Sequence, residues 1–292
     1  MNILFQIDGG LGKSIMATAM VKVIRKRYKN ARIIVVTPYP DVFLNNPDVF
    51  EVHNTATPNG LYLKFIKDQK CKVFVSEPYR QSQFILEKPI HLLTTWCELF
   101  GLKYNNEQPQ IYLTKPEKDY FEPYYKTDKP ILAIQPHGGP QGLGFQYSWT
   151  RDIPTPTISE IIDHYKNDYT IIHIKREDQI VYENTLQALD GLRSIAILLG
   201  LSSKRLLIDS FSQHLAASLG LKSTVCWIAT KPEIFGYKLH DNIKALPYTK
   251  SADLTQAIYS PFGLSESIST IPYNDLSEIF NTNKIIESIN NQ

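Results

Sequence analysis

Short apolar runs alternate along this chain with longer stretches in which apolar residues recur at helical spacing. Strands that feed helices in this way imply an α/β fold with parallel sheets. The N-terminal MNILFQI is a run suited to a buried strand, DGGLGKS is a flexible loop, and IMATAMVKVIRKRY has helical spacing with a basic last turn. Further strands are predicted at Arg32 to Thr37, Phe50 to His53 and Lys72 to Val75, with helices near Gly60 to Lys67 and His91 to Phe100. TKPEKDYFEPYYKTDKP, residues 114 to 130, is rich in Pro, Lys and Asp and marks a junction. Its aromatic residues Tyr120, Phe121, Tyr124 and Tyr125 are read as helix packing beside a hinge. Beyond it the pattern resumes, with strands at Ile131 to Gln135, Thr170 to Ile174 and Arg193 to Ile197, and a helix near Ser159 to Tyr165.

Composition narrows the class. The chain has 292 residues, 43% of them hydrophobic, enough for two modest cores. A net charge of +2 demands neither nucleic acid nor an anionic membrane. Lys22, Arg25, Lys26, Arg27 and Lys29 crowd the end of the first helix, where the dipole favours cations; a membrane-surface patch is the lesser reading. Three widely spaced cysteines, Cys71, Cys97 and Cys226, give neither a zinc pattern nor an even disulfide framework, and fit a reducing cytoplasm. Neither a cleavable leader nor a membrane-spanning run is expected.

The chemistry concentrates after strands. DSFSQHLAASLG, Asp209 to Gly220, puts an acid, two hydroxyls and a histidine at the start of an apolar helix, directly after the strand-like RLLI. First-turn N–H groups lack partners and the helix dipole favours negative charge, so Asp209, Ser210 and His214 form a candidate phosphate site. An ordinary capped helix with His214 in the core is the competing reading. In the N-terminal loop, Gly12-Lys13-Ser14 looks like a P-loop, but that motif needs glycine five residues before Gly12, where Ile7 stands. A nucleotide-dependent kinase therefore becomes a minor alternative, and Gly10, Gly12 and Lys13 are read as phosphate-side residues of a different loop. PHGGPQGLGFQYSWTRD follows Gln135, and the N–H groups of Gly138, Gly139, Gly142 and Gly144 would cradle a diphosphate. TIIHIKRED ends at the C-terminal edge of a sheet, where Glu177 or Asp178 would accept ribose hydroxyls; Lys175 or Arg176 would instead face phosphate.

Asp209, Ser210, His214, Leu215, Ala216, Ala217, Leu219 and Gly220 resemble the D-[ST]-G-x-x-H-[LI]-A-A-x-[LF]-G signature of the family 9 glycosyltransferases, the ADP-heptose:lipopolysaccharide heptosyltransferases. Downstream, the strand STVCWIA, then Thr230, Lys231, Pro232 and Gly236-Tyr237, are similar to that family's G-x-T-x-P…G-[PY] segment. Upstream, Gly12, Ala17-Thr18 and Lys29-Asn30-Ala31-Arg32-Ile33 match its first loop and the entry to its second strand, and Trp149 matches a tryptophan of the second glycine loop. Three positions depart. Phe211 replaces a glycine, Lys13 replaces the aspartate proposed as the acceptor-activating base, and Tyr147-Ser148 precede Trp149 without the family's phosphate-clasping lysine. His137 or Arg151 would supply that missing charge.

The resemblance implies a GT-B architecture, two Rossmann-like domains whose parallel sheets face an interdomain cleft. Residues 1–127 would form the acceptor side and 128–292 the nucleotide-sugar side, with the last helix free to pack back on the first domain. The implied activity is inverting glycosyl transfer from a nucleotide-diphosphate sugar, a co-substrate and not a cofactor, to a saccharide or other hydroxyl acceptor. No DxD motif occurs, so helix N-termini and cations, with no obligatory metal, are expected to neutralise the leaving diphosphate. With lysine at position 13, Asp8 becomes the candidate base, and Lys13 a phosphate or acidic-acceptor contact. Transfer to modified bases in DNA and non-catalytic binding of a nucleotide sugar are the alternatives carried forward.

Overall fold

The computed structural model describes residues 1–58, 60–75, 78, 90–139, 150–189, 191–250 and 271–292. Strands β1 (Asn2–Gln6), β2 (Arg32–Thr37), β3 (Glu51–Asn54) and β4 (Cys71–Val75) form one sheet in the order β3-β2-β1-β4, with every pair parallel. A second parallel sheet has the order β10-β9-β8-β5-β6-β7. It comprises β5 (Ile131–Ile134), β6 (Thr170–Ile174), β7 (Leu186–Ala188), β8 (Lys204–Ile208), β9 (Thr224–Trp227) and β10 (Asp241–Lys244). This is the expected pair of Rossmann-like sheets. In each, the chain walks outward from a central strand and then returns to that strand's other side, so strand order reverses between β1 and β4 and between β5 and β8. Open parallel sheets bind ligands beyond the carboxyl ends of their strands at such reversals.

Helix α1 (Leu11–Arg27) occupies the centre of the molecule. Nearly every residue from Lys13 to Ile24 is buried, because α1 lies between the first sheet and the second half of the chain. One apolar core runs through both halves, from Ile3, Phe5 and Ile7 of the first strand region to Leu207, Leu215 and Trp227 of the second. Trp96, on α2 (Leu92–Leu99), is fully buried against Phe5 at 5.7 Å between ring centroids. Truncating it to alanine would cost about 3–5 kcal/mol. The basic end of α1 is used locally. Arg25 donates to the carbonyls of Lys29, Ala31 and Asp48, and Lys26 pairs with Glu107 at 2.8 Å.

The junction forms α3 (Lys115–Phe121), opened by a capping box between Thr114 and Glu117. Of its aromatic residues, Tyr125 is buried and bonds Ser194 at 2.6 Å, whereas Tyr120 and Tyr124 are mostly exposed. Arg193 bolts the halves together: its guanidinium reaches Glu117 on the junction, the Asp41 carbonyl in the first half at 3.0 Å, and the Tyr112 carbonyl. The Arg193 hydrogen bond pulls the Glu117 carboxyl down to about 2.

Three expectations need correction. Arg193 to Ile197 lie inside a helix, α5 (Leu192–Leu201), and the neighbouring strand is Leu186–Ala188. RSIAILLGL is apolar on all sides because the helix is buried, and such a run reads equally as a buried strand. Gly60 to Lys67 contains only a single π-type turn, Tyr62–Ile66. Helix α4 (Thr155–Tyr165) covers the far face of the second sheet, and the last helix (Thr282–Asn290) packs beside it and not on the first domain. Ile285 and Ile289 bury there with Ile158 and Ile161, and Ser288 bonds Thr224 at 2.7 Å. Among the described residues no helix is long and apolar enough to cross a membrane, and the three cysteines are free.

Candidate functional site

Two strand-to-helix turns, one at each strand-order reversal, face each other. After β1 comes Asp8, then Gly9 at φ +98°, a conformation that favours glycine, then Gly10 as the N-cap of α1. Gly10 contributes no side-chain cap and the first turn of α1 holds no acid. After β8 comes Asp209, then Ser210 as the N-cap of α6 (Phe211–Ser218), whose hydroxyl does not cap the helix and whose first turn is likewise free of acids. Both helix starts therefore offer N–H groups and positive dipole ends.

The two turns meet through Gly12. A Cβ on Gly12 would fall 2.8 Å from His214 Cδ2, 3.3 Å from His214 Nε2 and 3.5 Å from the Phe211 Cα, so only glycine permits this approach. His214 is held in that position: its Nδ1 lies 2.9 Å from the Tyr237 hydroxyl, and burial, aided by His91 and His240, lowers its pKa to about 3. Neutral His214 is thus a packing and hydrogen-bonding group across the interface. His91, the N-cap of α2 in the first half, reaches the Gly236 carbonyl at 3.0 Å and lies 5.8 Å from the Tyr237 ring. Lys13 and Ser14 turn inward. The Lys13 ammonium sits 5.5 Å over the Trp96 ring and the residue is 3% exposed, while Ser14 bonds Thr37 at 3.2 Å. A P-loop would aim both at a phosphate, so the kinase reading loses its basis.

At the second reversal, Gly138 after β5 meets Ser210 after β8. A Cβ on Gly138 would lie 2.8 Å from Arg151 Cδ and 3.5 Å from Ser210 Oγ. The Gly138 N–H donates to Asp152 at 2.9 Å, Gln135 donates to Ser210 Oγ at 3.3 Å, and Ser212 donates to Gln135. Desolvation raises the Asp209 pKa, while the Arg151 charge and Thr230 oppose the rise. Gly12, Gly138, Arg151, Asp209, Ser210 and His214 are therefore gathered at one place. Gly139 follows at φ +76° and accepts from Gln179 at 2.8 Å.

Other expected residues stand apart. Asp8 is exposed, and both its oxygens accept from Gln6 Nε2 at 3.2–3.3 Å. His137 is buried, its Nε2 2.7 Å from the Tyr182 hydroxyl and its Nδ1 3.3 Å from Asp152. Glu177 and Asp178 are exposed, and Asp178 pairs with Arg176 at 3.2 Å. Gly142, Gly144, Tyr147, Ser148 and Trp149 lie outside the described residues. Sequence reading missed His91, Asp152 and Tyr182. His91 immediately before an apolar helix was the one local signal, as a cap; the others act through distant partners. Among the described residues no group of three or more His, Cys, Asp or Glu is arranged to hold a metal ion.

The fold is shared with solved structures at low sequence identity. A family 9 glycosyl transferase from Veillonella parvula superposes with a TM-score of 0.70 at 12% identity, over 99% of this chain and 96% of that one. ADP-heptose lipopolysaccharide heptosyltransferase II of E. coli gives 0.69 at 15% identity, over 100% and 98%. The E. coli heptosyltransferase WaaC, solved with ADP, gives 0.61 at 12% identity, over 100% and 99%. No protein family model and no curated protein sequence matches the chain.

Proposed function

We propose that this protein is a glycosyltransferase that moves a sugar from a nucleotide-diphosphate donor to a saccharide or other hydroxyl acceptor, with inversion and without an obligatory metal. The observation that carries the reading is the meeting of two uncapped helix starts, at the two strand-order reversals, through Gly12 and His214. A diphosphate between them would accept N–H bonds from both helices, and Arg151 adds the cation that a leaving diphosphate requires. The second domain (128–292) would hold this donor and the first (1–127) the acceptor. Asp209, desolvated beside that anion site, suits the hydroxyls of the transferred sugar better than a phosphate oxygen, since two anions there would repel.

The proton acceptor in this reading is Asp8. It follows β1 at the first reversal, it is exposed, and Gln6 orients its carboxylate from one side. The acceptor oxygen forms its bond to the anomeric carbon from the face opposite the leaving diphosphate while Asp8 takes the hydroxyl proton. Lys13, buried over Trp96, cannot act as that base and supports the first turn from within.

The test is a screen of nucleotide-diphosphate sugars for thermal stabilisation, followed by transfer assays with the best binder. A ligand present at 100 times its Kd should stabilise by about 2.7 kcal/mol. Sugar release or transfer from the binder, persisting in EDTA, is the expected result. Tight binding with neither would leave a nucleotide-sugar-binding protein. Loss of transfer in EDTA with recovery on adding magnesium or manganese would overturn the metal-independent part.

A further inference from the structure

The consecutive backbone carbonyls of Phe235, Gly236 and Tyr237, in the second half, are each held by a side chain. Gln213 of α6 donates to Phe235 at 3.0 Å and Asn242 of β10 donates to Tyr237 at 3.1 Å, so both of those bonds stay within the second half. The middle bond crosses to the first half, where His91 Nε2 lies 3.0 Å from the Gly236 carbonyl oxygen. The other ring nitrogen is also engaged, because His91 is the N-cap of α2 and its Nδ1 accepts from the Leu93 N–H at 3.3 Å. A backbone N–H can only donate and a carbonyl can only accept, so the ring carries its proton on Nε2. Burial lowers the His91 pKa, against the opposing bond to Gly236, and the ring stays neutral. The Tyr104 ring, nearly parallel to His91 at 6.4 Å between centroids, backs it from the first half.

The segment that His91 grips has little freedom of its own. A Cβ on Gly236 would lie 2.7 Å from the Pro232 carbonyl oxygen and 3.0 Å from Trp227 Cζ2, so this backbone is pressed against its neighbours. Tyr237 follows, buried, with its hydroxyl 2.9 Å from His214 Nδ1, and His214 fills the space beside Gly12 at the start of α1. A path of contacts therefore leads from α2 through His91, the Gly236-Tyr237 backbone and His214 back to the first half at Gly12. Its two ends resist opposite motions. The fit of His214 against Gly12 opposes closer approach of the turns, whereas a hydrogen bond opposes their separation. We propose that His91 is a positioning residue for glycosyl transfer, its ring tying α2 to the Gly236-Tyr237 segment so that the turn after β1 stays apposed to the turn after β8. It acts through Tyr237 and His214 and not by contact with either substrate. This rests on the glycosyltransferase reading, in which the donor belongs to the second half. Donor binding then survives loss of the link, and the transfer step, which needs both turns in place, does not.

The experiment measures urea stability, calorimetric affinity for the nucleotide-diphosphate sugar that stabilises wild type most, and kcat of transfer from it, for wild type, His91→Ala, His91→Asn, Tyr237→Phe and the His91→Asn, Tyr237→Phe double variant. Asparagine is a good N-cap but its side chain is too short to span to Gly236, whereas alanine loses cap and link together. Asparagine should therefore recover stability that alanine loses, while both variants turn over about tenfold or more slowly than wild type with donor affinity within about twofold of it. Turnover that recovers together with stability, or donor affinity that falls as far as turnover, would overturn the positioning role and leave His91 a structural cap. Should alanine not fold, asparagine against wild type decides alone, and unchanged turnover overturns the role. If His91 works through Tyr237, the double variant should lose little more turnover than the worse single variant; losses that multiply in full would overturn the path. Failure of wild type to bind or turn over any nucleotide-diphosphate sugar would count against the glycosyltransferase reading itself, before any variant is made.

Discussion

The turn after β1 and the turn after β8 solve one problem with opposite materials. Each starts a helix without a side-chain cap and without an acid in its first turn. The first is built from glycines and leaves its carboxylate, Asp8, exposed; the second is built from Asp209, Ser210 and Phe211 and desolvates its carboxylate. An exposed acid keeps the hydration and freedom that proton transfer to an incoming acceptor needs, whereas a desolvated acid beside Arg151 is a fixed recognition group. The contrast also accounts for Phe211. A glycine in the second turn would allow a close backbone approach, but here the approach is made from the other side, by Gly12 against the Phe211 Cα.

The sharpest way to break this division of labour is Asp8→Asn. Turnover should fall about 100-fold or more with donor affinity little changed, because a general base acts on the transition state. Full turnover in a folded Asp8→Asn enzyme would remove Asp8 from the mechanism. Asp209→Ala and Arg151→Ala should do the reverse, weakening the donor by roughly ten- to a hundredfold, as expected for loss of a charged hydrogen bond of about 1.5–3 kcal/mol. Unchanged calorimetric affinity in both would dissolve the recognition role of the second turn.

Gly12→Ala tests the contact that joins them. The added Cβ must displace His214, so a stability loss of roughly 1–3 kcal/mol is expected in urea unfolding. The companion Gly10→Ala, with open space at its Cβ, should lose far less. Equal losses would mean that the apposition seen here does not govern stability.

A pH dependence tests the neutral histidine between the turns. His173 and His214 have pKa values lowered to about 3 and His240 to about 4, all by burial, from an ordinary 6.5. Below pH 6.5 the unfolded chain takes up protons that the folded chain refuses, so stability should fall as the pH drops from 6.5 and be flat above it. The limiting slope is roughly 1.4 kcal/mol per pH unit for each such histidine. His214→Gln should remove one proton's worth of that slope. An unchanged slope in the variant would mean that His214 is not the neutral contact described between the turns.

Local chemistry made much of this legible from residues alone. The RLLI run, the Asp209-Ser210 cap and the helical spacing after it gave the second turn correctly, because strand burial and helix starts depend on near neighbours. The same logic failed at Arg193 to Ile197, since a helix buried on all sides loses the amphipathic signature that distinguishes it from a strand. Gly12 and Lys13, read from the sequence as phosphate-side residues, also meet distant partners that no local pattern shows: Gly12 packs against His214 and Lys13 lies buried over Trp96.

What the sequence by itself determined was the alternation of strands and helices, the two parallel sheets and the polar, glycine-rich turns after β1, β5 and β8. The tertiary structure alone decided which of those residues share a site. Arg151 with Asp209, and Gly12 with His214, depend on which surfaces lose water when the halves pack. That desolvation is a property of the whole fold and not of any short stretch of chain.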